Sequence, residues 1–109
     1  MARDYKILGQ EAPDATTDTT VYTVPAATKA IISTIIIANH ASSAGTFRLT
    51  ARPDAESLTQ KHYLAYDIPI AANDSTTLTL GITLDAADII TAYCSTADMS
   101  INVFGSEIS

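Results

Sequence analysis

A cysteine nucleophile with a histidine base is one chemistry that this sequence could support, and its candidate residues are Cys94, His40 and His62. A catalytic cysteine needs a neighbouring base or positive charge that lowers its thiol pKa. Cys94 instead follows the run Ile89–Tyr93, which contains no basic residue, so we expect a buried and unreactive thiol. A serine nucleophile is not indicated either, because no Gly-x-Ser-x-Gly elbow is present. The sequence therefore predicts no catalytic residue.

The histidines and carboxylates do not match the spacing of a metal site. His40 and His62 lack partners at the spacing of a zinc site. Asp85 and Asp88 flank a predicted turn, and aspartates in turns more often accept hydrogen bonds from backbone amides than bind calcium. We expect these two side chains to cap and close the turn. We therefore expect no metal and no cofactor.

Carbohydrate chemistry has little specific support in the sequence. With twelve acidic residues some pair of carboxylates is inevitable, so glycoside hydrolysis is not indicated. Sugar binding without hydrolysis requires exposed aromatic rings. Tyr63 and Tyr66 are three residues apart on a predicted strand, so alternation places them on opposite faces and leaves at most one as a platform. Tyr22 and Tyr93 are expected to pack in the core with their hydroxyl groups at its rim.

Length and charge narrow the remaining classes of function. The 109 residues, 47% of them apolar and 17% charged, are enough for one domain. The net charge of −6 disfavours binding to nucleic acid or to an anionic membrane surface. No apolar run reaches membrane-spanning length, and the polar start Met1–Lys6 carries no targeting signal. Because a single cysteine cannot form an internal disulfide, we expect an intracellular product with a reduced thiol.

The elements that must position these residues are strands. β-Branched residues gather in short runs, and we find no pattern of an amphipathic helix. The predicted strands are 19–24, 29–39, 46–52, 61–67, 76–82, 89–95 and 99–104. Turn signals every 8–12 residues or so predict an all-β fold, a single antiparallel β-sandwich of seven to eight short strands over residues 19–109, either immunoglobulin-like or jelly-roll. Residues 1–18 are expected to form an irregular N-terminal arm, because Gly9, Pro13 and the polar run 14–18 break any period.

The strongest strand is apolar on both faces. Five isoleucines fall between Ile31 and Ile37, so one face meets the core and the other needs a neighbouring chain or the arm. A lone monomer rarely exposes an apolar patch of that size. Arg48 and Arg52 share the outward face of the strand 46–52, where they are either solvated or ion-paired with a partner chain. These features favour a subunit of a larger assembly.

Three stretches of the sequence carry motifs that point to a family. Val21–Asn39 has a Tyr-x-Val-Pro step leading into a long apolar strand, Leu80–Ile90 contains a Gly-x-x-Leu-x-x-x-Asp turn, and Phe104–Ile108 forms the ending. Together they resemble small virion structural proteins of tailed bacteriophages, especially marine ones. The likeness covers residues 19–108 and leaves the arm without a signature. It implies a virion component with no catalytic residues.

Within that family, the resemblance implies either a head decoration (cement) protein or a tail- or fibre-associated subunit, and we expect the first. Such a subunit is made in the host cytoplasm and binds the major capsid protein on the outer surface of the head, commonly as a homotrimer that bridges and stabilises the shell. We expect contacts through the arm and one strand, at Tyr5, Ile7, Leu8, Arg48 and Arg52. The acidic balance suits an outward position, because the packaged DNA lies inside. The alternative is a tail- or fibre-associated structural or receptor- and carbohydrate-binding module. A stand-alone enzyme lacks a convergent polar constellation.

Overall fold

The structure, a computed structural model, describes residues 3–109, apart from the side chain of Leu80. Within that range the chain forms eight β-strands and two short 3-10 turns, the latter at Pro53–Ala55 and Gln60–His62. The strands are β1 (Arg3–Glu11), β2 (Thr19–Thr23), β3 (Lys29–Asn39), β4 (Gly45–Arg52), β5 (Tyr63–Ile70), β6 (Asp74–Leu84), β7 (Ile89–Cys94) and β8 (Met99–Ile108).

These strands form two four-stranded antiparallel sheets across the described chain. Sheet A has the order β1-β8-β3-β6, and sheet B has the order β2-β7-β4-β5. The first four strands pair with the last four in reverse order, as in one long hairpin. Wrapping that hairpin so that β3 also meets β8 and β4 meets β7 produces a jelly roll. The predicted all-β antiparallel sandwich is thus confirmed, and the isolated bridge of Ala15 to Cys94 adds a ninth extended segment.

The core lies between the inner faces of the two sheets. On β3, which lies between β8 and β6, Ile32, Ile35 and Ile37 are fully buried. Phe47 and Leu49 of β4 are fully buried on the facing sheet, as their alternation with polar neighbours predicts. Burying one such side chain contributes about 1.5–3 kcal/mol, so these strands supply much of the driving force for folding.

The N-terminal residues correct the expectation of an irregular arm. Residues 3–11 form β1, which pairs with β8 from Arg3 opposite Ile108 to Glu11 opposite Ile101. Nearly all of its side chains are exposed or half-exposed. The strand therefore lacks the alternation of apolar and polar residues that marks a half-buried strand, and its backbone pairing with β8 positions it. After β1, residues 12–18 are irregular apart from the bridge at Ala15.

A polar cluster beside β1 connects the two sheets. The Tyr22 hydroxyl of β2 donates a 2.6 Å hydrogen bond to the Glu107 carboxylate of β8, which also pairs with Lys6 Nζ of β1 at 2.7 Å. Hydrogen bonds, first from Lys6 and then from Tyr22, lower the pKa of Glu107. Burial and the same hydrogen bond raise the pKa of Tyr22. The cluster therefore stabilises the folded state when Glu107 is charged.

We expect Glu107→Gln to lower stability near neutral pH and to have progressively less effect in acid. Because the folded-state pKa of Glu107 lies below its ordinary value of 4.5, the carboxylate stabilises the fold above that pH. This contribution is lost as the pH falls through the folded-state pKa. Urea unfolding of both proteins between about pH 7 and about pH 3 measures the change. A difference that does not vary with pH would contradict the prediction, and Glu11→Gln on exposed β1 is the control.

Gly105 on β8 lies opposite Ile32 of β3, next to a β-bulge in β3. The register between these strands shifts between Ile32 and Thr34, so Ser33 is the extra residue on β3. A Cβ atom added at Gly105 would overlap the carbonyl oxygen of Ile31, which is a backbone atom and cannot rotate away. The close approach of the two backbones therefore requires glycine at this position.

We expect Gly105→Ala to lower the free energy of unfolding by about 1–3 kcal/mol, because the backbones of β3 and β8 must separate to admit the methyl group. Gly81→Ala on β6 is the matched control, since no described heavy atom lies within 4 Å of its added Cβ. Thermal and urea unfolding of both variants measure the difference. Equal losses in the two variants would show that the close approach at Gly105 does not matter.

Candidate functional site

The outer face of sheet B carries the most distinctive group of side chains. A cleft of about 450 Å³ is lined by Gln60, Tyr63 and Tyr66, and we call it the tyrosine cleft. The two rings are nearly perpendicular, with an interplanar angle of 88° and centroids 4.9 Å apart. Tyr66 is 54% exposed. The rings therefore form an accessible aromatic corner beside the Gln60 amide.

The tyrosine cleft corrects the prediction that Tyr63 and Tyr66 point to opposite faces. On β5, Ile68 lies opposite Phe47 and Ala65 lies opposite Leu49, so three steps on β5 match two on β4. The extra residue is a β-bulge next to Asp67, which has a left-handed φ of 50°. A second register shift separates Ala65 from Tyr63. Its extra residue, Leu64, lies between the two tyrosines, so this shift reverses the alternation and places both rings on one face.

Arg48 of β4 connects the tyrosine cleft to the centre of sheet B. Its guanidinium lies 4.2 Å from the centroid of the Tyr66 ring and 4.4 Å from that of Tyr93. Its Nε and Nη2 donate to the two carboxylate oxygens of Asp67 at 2.6 and 3.3 Å. This hydrogen bonding raises the pKa of Arg48 and lowers that of Asp67. The bidentate pair holds the guanidinium, and the guanidinium holds the Tyr66 ring.

The structure also corrects the prediction that Tyr93 packs in the core. The same prediction for Tyr22 is confirmed. Tyr93 lies directly opposite Arg48 in the pairing of β7 with β4, so both project from the outer face of sheet B. The inward positions of β7 are Ile90, Ala92 and Cys94, all fully buried. The apolar run around Tyr93 hides this alternation in the sequence. Tyr22 is buried in the core, and its hydroxyl reaches Glu107 at the rim.

Arg48 and Arg52, which the sequence predicts to contact a partner chain or solvent, each form an ion pair with a carboxylate of this chain. Arg48 pairs with Asp67, and Arg52 Nη2 pairs with Asp18 at 2.5 Å. Arg52 also donates to the Glu56 carbonyl oxygen at 3.3 Å, and its Nε is buried without a partner among the described atoms. Arg52 therefore fastens the irregular residues before β2 to sheet B. Contact of either arginine with a partner stays a prediction.

The three residues expected in the arm lie on β1 with unequal exposure. Tyr5 is 77% exposed and Ile7 is 50% exposed. Leu8 occupies the register shift between Ile7 and Gly9 and packs against the core. Two of the three side chains are thus accessible to a partner.

Tyr5 and Ile7 belong to an apolar area that continues across sheet A. Ile7 lies opposite Phe104 on β8, and Tyr5 lies opposite Ser106, which in turn lies opposite Ile31 on β3. Partners in such a register share one face of the sheet. Ile31 is 39% exposed, and Phe104 is partly exposed. We call Tyr5, Ile7, Ile31 and Phe104 the sheet A patch. It is the outer apolar face that the isoleucine-rich strand predicts.

The residues considered for catalysis, Cys94, His40 and His62, lie in separate environments. Cys94 is fully buried, and burial raises the pKa of its thiol to about 11. His62 is buried, with Nδ1 accepting from the Thr59 amide at 3.0 Å and Nε2 lying 3.2 Å from Glu56 Oε1. His40 is exposed in the turn after β3. A buried thiol with a raised pKa is a weak nucleophile, as the sequence predicts for Cys94.

Asp85 and Asp88 close the turn after β6 as predicted. Asp88 accepts hydrogen bonds from the amides of Asp85 and Asp54, each at 2.8 Å, and Asp85 accepts one from the Ala86 amide at 2.8 Å. Within residues 3–109, no group of three or more His, Cys, Asp or Glu side chains is arranged to hold a metal ion. No helix in this range is long and apolar enough to span a membrane.

Comparison with known proteins adds no relative from which a function can be transferred. No protein-family model matches the chain, and no curated protein matches it. The features of this chain that bear on its function are the two outer faces of the sandwich, which carry the sheet A patch and the tyrosine cleft.

We expect Cys94 to resist thiol reagents in the folded protein. A pKa of about 11 leaves about one part in a thousand of the thiol ionised at pH 8, and burial blocks access to the sulfur. Labelling with a disulfide reagent at that pH, with and without urea, measures the accessible thiol. We expect complete reaction in urea and almost none in buffer. Rapid reaction of the folded protein would contradict this assignment.

Proposed function

We propose that this chain is a non-enzymatic structural subunit of a tailed-phage virion, and specifically a decoration (cement) protein on the outside of the head. The sheet A patch is the observation that carries the proposal. The motifs in Val21–Asn39, Leu80–Ile90 and Phe104–Ile108, which resemble those of small virion proteins, support it. In this role the chain binds major capsid protein subunits and bridges them, as a homotrimer.

The sheet A patch has the composition of the centre of a protein interface. Interface centres are depleted of charge and enriched in aromatic residues. Here Tyr5, Ile7 and Ile31 are between 39% and 77% exposed, and the adjacent outward positions on β6 are threonines, among them Thr77 and Thr79. Burial of the patch against a neighbouring subunit would remove apolar surface from water without the desolvation of an ion pair.

The edge of sheet A offers a second mode of contact beside the patch. In the described chain, β1 is the outermost strand of its sheet and pairs on one side with β8. The backbone groups on its other side can pair with a strand of a neighbouring subunit, which would continue the sheet across the interface. A contact that combines a paired edge with the sheet A patch suits a subunit that bridges others.

Immunogold labelling of intact virions with antibody against this chain tests its location. We expect gold particles distributed over the head. Label confined to the tail or its tip would overturn the decoration proposal and favour the alternative, a tail- or fibre-associated module. The tyrosine cleft is the observation that favours this alternative, because an exposed aromatic cluster suits receptor binding.

We expect Ile7→Asp to abolish most binding to heads that lack the protein, because docking would bury the new charge in the sheet A patch without a partner. Leu64→Asp on β5 is the matched control, since Leu64 is 47% exposed and Ile7 is 50% exposed. Co-sedimentation of each purified variant with stripped heads measures occupancy, and circular dichroism checks the fold. Equal occupancy of both variants would remove the sheet A patch as the docking face.

A further inference from the structure

We propose that the tyrosine cleft binds a neutral carbohydrate, with one pyranose ring stacked on the aromatic corner of Tyr63 and Tyr66. This inference goes beyond the proposed virion role and does not depend on where the subunit sits. It combines the exposed rings, the paired charges beside them and the hydrogen-bonding groups at the margin of the cleft.

The aromatic corner is held rigidly before any ligand arrives. The Tyr66 ring is fixed from one side by the Arg48 guanidinium at 4.2 Å, and Tyr63 contacts it nearly at right angles. Arg48 is itself held by two hydrogen bonds to Asp67. A preorganised surface loses little conformational entropy on binding. Tyr66 nevertheless keeps 54% of its surface exposed, so apolar area remains for a ligand to cover.

The charges next to the cleft favour a ligand without net charge. Arg48 would attract a phosphate or carboxylate, but Asp67 already neutralises it through the bidentate pair. The same guanidinium, stacked on Tyr66, disfavours a second cation on that ring. Charged ligands of both signs are therefore disfavoured. Nucleic acid is disfavoured further by the net charge of −6.

The polar groups at the cleft match hydroxyl groups. The Gln60 amide is both a donor and an acceptor, and each tyrosine hydroxyl can act in either role. A pyranose presents C–H groups on one face and hydroxyl groups around its edge, so it can cover an aromatic ring while its hydroxyls bond to Gln60. The volume of about 450 Å³ falls in the range of small-molecule sites and accommodates one or two sugar rings.

Tyrosine fluorescence and NMR titrations with D-glucose, D-galactose, D-mannose and N-acetyl-D-glucosamine test the proposal. No tryptophan masks the tyrosine emission, and residue-assigned NMR signals separate Tyr63 and Tyr66 from the other three tyrosines. We expect saturable shifts of Tyr63 and Tyr66 with at least one neutral sugar at millimolar concentrations. Tyr66→Ala should weaken that binding about tenfold or more, since it removes the stacking platform. Tyr5→Ala, which alters an exposed tyrosine on sheet A, should leave it unchanged.

Three outcomes would overturn the proposal. One is that none of the four neutral sugars shifts the tyrosine signals. A second is that D-glucuronate binds more tightly than every neutral sugar, since the site would then recognise charge. The third is that a proline-rich peptide shifts Tyr63 and Tyr66 while no sugar does, which would make the cleft a protein-docking site. The melting temperature of Tyr66→Ala distinguishes lost binding from lost folding, because Tyr66 is half-exposed and its removal should leave the core intact.

Discussion

Alternation of side chains between the two faces of a strand is the constraint on which this sandwich depends. A strand without a bulge sends every second residue into the core, and a run such as Ile31–Ile37 cannot satisfy that rule with all its isoleucines. The bulge at Ser33 changes the parity, so Ile32 and Ile35, three residues apart, both reach the core. The same device at the Thr20–Tyr22 shift of β2 buries Val21 and Tyr22 together. Bulges thus let the chain bury more apolar side chains than strict alternation allows.

On β5, β-bulges place side chains on the outer face of sheet B and not in the core. Asp67 takes a left-handed backbone conformation that Asp and Asn tolerate better than most residues. The resulting bulge places the Asp67 carboxylate and the Tyr66 ring against Arg48, and the separate register shift at Leu64 brings Tyr63 to the same face. Because ladder pairing is interrupted there, the geometry depends on the Arg48–Asp67 pair and on ring stacking. The tyrosine cleft therefore depends on both backbone irregularities of β5.

The sequence predicts this fold best where burial is strongest. β3 begins and ends as predicted, at Lys29 and Asn39, because its isoleucines leave no competing interpretation. The sequence does not predict β1, since an exposed edge strand lacks the alternation of a half-buried strand, and its long-range pairing with β8 leaves no trace in local sequence. The sequence does not predict the meeting of Tyr63 and Tyr66, because strict alternation places residues three apart on opposite faces. Asp67, a residue with poor strand propensity inside an otherwise strand-like run, is a local signal of the neighbouring bulge, whereas Leu64, the extra residue between the two tyrosines, is an ordinary strand residue.

The two outer faces of the sandwich differ in chemistry, and this difference suits the two proposed roles. Sheet A presents exposed apolar side chains such as Tyr5 and Ile7, which gain from permanent burial. Sheet B presents rings held by the Arg48–Asp67 ion pair, which would lose hydration if a large subunit covered it. Since the sheets pack back to back, a subunit that docks through sheet A must turn the tyrosine cleft away from the surface it binds. Docking and ligand binding would then not compete for the same face.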